Sequence, residues 1–148
     1  MSLEKDINQT KFRNEHQKMM INLIYTTNWM TEKLKAVFDK EDITSQQFNI
    51  LRILRGAGAP ISTAQIRERM LDKMSDTSRI VDRLVTKGLV KKNVCTLDKR
   101  KVDVNITAKG KKLLEKIDVY EVKMDEVTSS ISEAEAKTIN KLLDKLRQ

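Results

Sequence analysis

The chain has 148 residues, 34% of them charged and 4% aromatic, with a formal net charge of +8. A single cysteine excludes an internal disulfide, and one histidine with one cysteine excludes a zinc site built from those residue types. No nucleotide-binding glycine motif is present, and the lone His16 has no placed partner for nucleophilic catalysis, so the sequence offers no enzyme and no cofactor or metal site.

The charge surplus is confined to one third of the chain. Between Ser62 and Lys112 there are 14 Lys+Arg and 6 Asp+Glu, and the rest of the chain holds 15 of each. Charge gathered in this way is the footprint of a module that binds a polyanion. The polar N-terminal segment has no apolar signal core, and no run reaches the length of a membrane span. The expectation is a cytoplasmic single domain, 1–148, with no membrane partner.

In chain order, apolar spacing predicts a first helix from about Ile7 to Phe38. Thr44-x-x-Gln47 is a capping box with Ile43 and Phe48 as its hydrophobic staple, and it opens a helix from Ser45 to Arg55. Gly56-Ala-Gly58-Ala-Pro60 stops that helix. Ser62-x-x-Gln65, with Ile61 and Ile66 as staple, opens a short helix to Met70. A further helix, Lys73–Lys87, follows Asp72 as its N-cap and ends at Gly88. Two strands, Leu89–Cys95 and Lys101–Ile106, flank the polar turn Thr96–Arg100; Val102, Val104 and Ile106 alternate with polar residues in the second. Thr107 opens a long helix to about Ser129, and the box Ser132-x-x-Glu135 opens the last, Glu133–Leu146. The fold class is mainly α with a small antiparallel β-hairpin (α+β). It comprises a winged helix-turn-helix lobe at 41–110, flanked by dimerisation helices at 1–40 and 111–148.

Turning Lys73–Lys87 by about 100° per residue gathers Thr77, Ile80, Val81 and Leu84 on one face. Ser75, Arg79, Asp82 and Thr86 lie opposite, flanked by Ser78 and Arg83. The second face is small, polar and basic, and a helix is narrow enough to enter a major groove. Ser75, Ser78 and Arg79 are the candidates for base edges or nearby phosphates, and Arg83 for a phosphate. Asp76 either accepts from cytosine or favours the helix N-terminus, the second being the better reading. A polar helix face alone is an ordinary solvated surface. The adjoining turn with Lys99, Arg100 and Lys101 tips the balance, because it places cations where a neighbouring minor groove would lie. Asp98 is placed to orient the Arg100 guanidinium.

The run Met74–Val90, followed by Asp98-Lys-Arg100 and Val102-Asp-Val-Asn-Ile-Thr-Ala-Lys-Gly110, resembles the recognition helix, wing and following helix start of the MarR family of bacterial transcriptional regulators. The resemblance is most specific over residues 44–115. It implies a homodimer that binds double-stranded DNA at a palindromic operator, usually as a repressor released by a small ligand or by oxidation. On the matching positions it carries DNA contact to Ser75, Ser78, Arg79 and Arg83, and the wing pair to Asp98 and Arg100. Lys92 stands where members often have arginine, so an ion pair of the wing there would lose bidentate geometry.

The resemblance also places effectors near the junction of the dimer helices and the DNA-binding lobe. Tyr25, Trp29 and His16 are weak candidates, with core packing the better reading for Trp29. Cys95 lies near Lys91 and Lys92, which would lower its pKa, but a redox role is the minor reading. Met19, Met20, Trp29 and Met30, with Leu113, Leu114, Ile117, Ile139, Leu142, Leu143 and Leu146, exceed the apolar surface one lobe can bury. A two-fold dimer uses that surface; folding back on the monomer is the alternative. The rival functions are a non-specific architectural DNA-binding protein and a protein-interaction module that kept the fold.

Overall fold

The computed structural model describes residues 2–94, 97–98 and 100–148. Cys95, for which a redox role is the minor reading, Lys99, a DNA-contact candidate, and Thr96 lie outside the described residues. The chain divides into two compact units, Met1–Ala36 and Val37–Gln148, a division that does not coincide with the boundaries 40/41 and 110/111 drawn from sequence.

The first unit holds α1 (Leu3–Asp6) and most of α2 (Glu15–Lys40). The helix expected from Ile7 therefore begins only at Glu15, after a separate short helix that ends at Asp6. Asn8 takes a left-handed φ of 51°, and the chain runs irregularly until Asn14 restarts it. The Asn14 side chain accepts from the Gln17 amide at 2.9 Å, and the Gln17 side chain accepts from the Arg13 amide at 2.7 Å. Two N–H groups without helical partners are thus satisfied at the N-terminus of α2.

The second unit takes the end of α2, then α3 (Ser45–Ala57), β1 (Ile61–Ser62), α4 (Thr63–Arg69), α5 (Thr77–Thr86), β2 (Val90–Val94), β3 (Val102–Ile106), α6 (Ala108–Asp118), α7 (Glu121–Glu126) and α8 (Glu133–Leu146). All three capping boxes form as the sequence predicts, at Thr44, Ser62 and Ser132. α3 runs past Gly56 and ends at Gly58, whose φ of 66° supplies the left-handed cap.

Ile50, Leu51 and Leu54 of α3 are fully or nearly fully buried, and α3 packs on α4, α5, α6 and β3. Ile66, Met70, Val81, Leu84, Val104, Leu114 and Ile117 complete this core. Phe38 at the end of α2 stacks on Phe48 with ring centroids 4.7 Å apart.

The sheet has three strands where two were expected, in the order β1-β3-β2, all antiparallel. Ile61 pairs with Val104 and Ser62 with Asp103, so Ser62 both ends a strand and caps α4. The long helix expected from Thr107 is also interrupted. Ile117 accepts a tight 2.8 Å turn bond from the Tyr120 amide, which separates α6 from α7 across Val119 and Tyr120. No proline or glycine causes the break; β-branched and aromatic residues of modest helix propensity occupy it.

Candidate nucleic-acid interface

α5 is shorter than the sequence suggests, and its cap is Asp76, not Asp72. The Asp76 carboxylate accepts from the Arg79 amide at 3.1 Å. Asp72 instead organises the preceding turn, accepting from the Met74 amide at 3.0 Å, while its carbonyl takes the Ser75 hydroxyl at 2.7 Å. Ser75 therefore stands in this turn and not on the helix. The expected inner face holds: Thr77, Val81 and Leu84 are buried and Ile80 is half-buried.

The opposite face of α5 is open. Ser78, Arg79, Asp82, Arg83 and Thr86 are exposed, and the guanidinium groups of Arg79 and Arg83 make no ion pair among the described residues. A cleft of about 710 Å³ lies between the start of α4, with Ser62, Thr63 and Ala64, and the hairpin, with Lys92, Asn93, Arg100 and Lys101; from α5 only Ser78 reaches it. The cleft thus brings Ser78 together with the wing candidates Arg100 and Lys101; Ser75, Arg79 and Arg83 do not line it.

Asp98 acts chiefly on the backbone of the wing. Its carboxylate accepts from the Arg100 amide at 3.0 Å, and its carbonyl accepts from the Lys101 amide at 2.9 Å. The Arg100 guanidinium lies 3.8 Å from the same carboxylate and is 97% exposed, so the turn presents it to solvent. Among the described residues Lys92 makes no pair within the wing. Its ammonium binds the Asp82 carboxylate and so ties β2 to the outer face of α5. Sequence reasoning placed Asp82 on that face but missed the pair, because residues ten apart meet only once the hairpin has folded back.

The exit of α5 is fastened to the start of α6. Gly88 takes φ 71°, with the Leu89 amide donating to Leu84 and the Gly88 amide to Val85. The Thr107 hydroxyl donates to the Gly88 carbonyl at 2.7 Å and accepts from the Gly110 amide at 3.1 Å. A side chain at Gly110 would collide with the Leu89 backbone, which gives the Thr-x-x-Gly pattern its physical reason.

Tyr25 and Trp29 lie on α2 in the first unit and are 37% and 40% exposed. Trp29 is therefore not the core residue the sequence suggested; Lys33 lies 6.0 Å from its ring centroid. His16 is exposed in the first turn of α2. Among the described residues no group of three or more His, Cys, Asp or Glu side chains is placed to hold a metal ion. No described helix is long and apolar enough to cross a membrane.

Three helices, a wing and an open basic face on the third helix define a winged helix-turn-helix protein. Residues 41–101 match the profile of the MarR family. The chain is 29% identical over 118 residues to the transcriptional regulator PecS of Dickeya dadantii, covering 78% of this chain and 71% of that one. It is 28% identical over 131 residues to the multiple antibiotic resistance protein MarR of Salmonella typhimurium, covering 84% and 88%. Its fold superposes with a TM-score of 0.79 on a cysteine-to-serine variant of MarR from E. coli in complex with operator DNA, at 26% identity over 93% of this chain and 99% of that one. The chain is thus similar, in sequence and in fold, to MarR-family transcriptional regulators, and the relatives named are regulators, not enzymes.

Proposed function

We propose that the protein is a sequence-specific, double-stranded-DNA-binding repressor that acts as a homodimer on a palindromic operator and responds to a small ligand. The observation that carries this reading is the open face of α5, with Ser78, Arg79 and Arg83 exposed beside a wing that presents Arg100 and Lys101. Arg79 and Ser78 enter the major groove, Arg83 meets a phosphate, and Arg100 and Lys101, with Lys99, reach the neighbouring minor groove. Ser75, in the turn before the helix, contacts a phosphate. The operator-bound state of the E. coli relative supports the assignment.

Selection of bound sequences from a random DNA pool tests it: an inverted repeat is expected, and recovery without preference would leave an architectural protein. Arg83→Ala weakens binding to all sequences alike and lowers the salt slope by about 1, whereas Arg79→Ala relaxes discrimination at one operator position by about 1–3 kcal/mol. Uniform loss in both variants refutes the base contact. The effector contacts proposed for His16, Tyr25 and Trp29 rest on their place in α2. Trp29 is the only tryptophan, so its fluorescence reports ligands directly; an effector that releases DNA without changing that fluorescence binds elsewhere.

A further inference from the structure

The turn that leads from α4 into α5 holds two apolar side chains in nearly full contact with solvent. Met74 is 95% exposed and Leu71 is 85% exposed. Met74 does not serve α5 as a hydrophobic staple. That device uses the residue directly before the cap, and Ser75 stands there, ahead of Asp76. A methionine left open in this way forfeits the gain of covering its thioether and methylenes.

The backbone beneath Met74 is nevertheless held on both sides. The Leu71 amide donates to the Asn49 side chain at 2.9 Å, which ties the turn to α3. The Lys73 ammonium donates to the Glu68 carbonyl and ties it to α4. The Met74 amide donates to the Asp72 carboxylate, and the Asp76 cap and the buried Thr77 fix the other end. Cations flank the turn: Arg67, Arg69 and Lys73 precede Met74, Arg79 follows it, and all four are exposed. Of the carboxylates in the same stretch, those of Asp72 and Asp76 are turned onto backbone amides, which leaves Glu68. An apolar side chain on a fixed support among cations suits a polyanion that also carries apolar points.

We propose that Met74 is a specificity-determining residue of the DNA interface, packing its side chain on the 5-methyl group of a thymine in the major groove. This contact rests on the DNA-binding reading, in which the N-terminal end of α5 lies deepest in the groove. Met74 adjoins that end, beside Ser78 and Arg79. Thymine alone presents an apolar group on the major-groove edge of the bases. The unbranched, polarisable thioether follows such a group without a preformed pocket. Arg79 then reads a hydrogen-bonding edge and Met74 a methyl group.

The test takes the duplex recovered by selection from the random pool and replaces its thymines one at a time by deoxyuridine, which deletes the methyl group and keeps every hydrogen-bonding group. Binding of the full chain is measured at constant salt. At one thymine of a half-site the replacement should weaken the parent by about fourfold, the worth of one buried carbon. Met74→Ala should bind the unmodified duplex more weakly by about fourfold or more and no longer distinguish thymine from deoxyuridine there. Its urea midpoint should match the parent's, because the side chain it truncates is exposed. Met74→Leu, apolar and of similar size, should keep the discrimination, and Arg83→Ala should weaken every duplex alike and keep it too. A parent that selects an inverted repeat yet ignores deoxyuridine at every position overturns the Met74 contact and leaves the DNA-binding reading standing. So does a Met74→Ala variant that still discriminates, or discrimination lost in Leu71→Ala instead. A parent that prefers no sequence overturns both.

Discussion

A β-carbon at Gly110 would stand 2.3 Å from the Leu89 carbonyl oxygen and 2.8 Å from Cγ1 of Ile106. That oxygen already accepts from the Thr107 amide at 3.1 Å, so the backbone there has little freedom to yield. Gly110→Ala should therefore cost about 1–3 kcal/mol by overpacking, read as a lower urea midpoint with an unchanged slope. Thr77 is the opposite case. Its hydroxyl is fully buried and has no hydrogen-bond partner among the described residues, and the side chain is fully buried. Thr77→Val replaces an unsatisfied polar atom by an apolar one of the same shape, and should raise stability by about 1 kcal/mol in the same denaturation experiment. In the first unit, the Lys18 ammonium bonded to Glu4 is the largest cause that draws the Glu4 carboxyl from its ordinary 4.5 to about 2. A carboxyl depressed in the folded state contributes stability above its unfolded pKa and loses it as pH falls through the folded value. The pair should thus weaken between about pH 4.5 and 2. Carboxyl NMR titration should show Glu4 returning toward 4.5 in Lys18→Met.

At the scale of elements, α5 depends on where its first turn begins. Asp76 accepts an amide that the helix cannot otherwise satisfy, and it lies beside the face proposed to meet phosphates. Two substitutions separate those roles. Asp76→Ala removes the cap and should cost about 1 kcal/mol of stability, whereas Asp76→Asn keeps the acceptor and should leave stability nearly unchanged. If the helix end faces DNA, Asp76→Asn also tightens binding, because a carboxylate near phosphates opposes them.

Sequence alone pointed to Asp72 as the cap, and packing moved the start of the helix to Asp76: burial on α5 begins at Thr77, while Met74 is 95% exposed and nothing draws it into a helix. The capping boxes at Thr44, Ser62 and Ser132 were legible because each is a local exchange of two hydrogen bonds. Local side-chain bonds of this kind also start α2, at Asn14 and Gln17, whereas apolar spacing predicts an earlier start. β1 was not legible: two residues give no alternation, and its pairing with Val104 joins segments more than forty positions apart. The outer face of α5 was readable from a period near 3.6, but the Lys92–Asp82 pair across it required the hairpin to be in place.

For the whole molecule, the proposed function turns on how many α5 helices meet the duplex at once. α8 buries none of its residues in the single chain, and Ile139, Leu142 and Leu146 are 40%, 61% and 55% exposed along it. In the first unit, Met19, Met20 and Ile24 are likewise exposed on α2. Apolar rows of this kind on terminal helices suit a two-fold interface. Such an interface would hold two α5 helices about 34 Å apart, one turn of DNA. Leu142→Glu with Leu146→Glu places carboxylates in that row without touching the core around Leu51 and Leu84. The parent chain should sediment as a dimer and the variant as a monomer. Each monomer retains its basic face, so affinity for a single half-site should be nearly unchanged. Affinity for the inverted repeat should fall by about a hundredfold or more, because the second contact is no longer intramolecular. Equal loss on half-site and full site would mean that the substitutions damage the lobe itself. A parent chain that sediments as a monomer would leave α8 without the role argued for it.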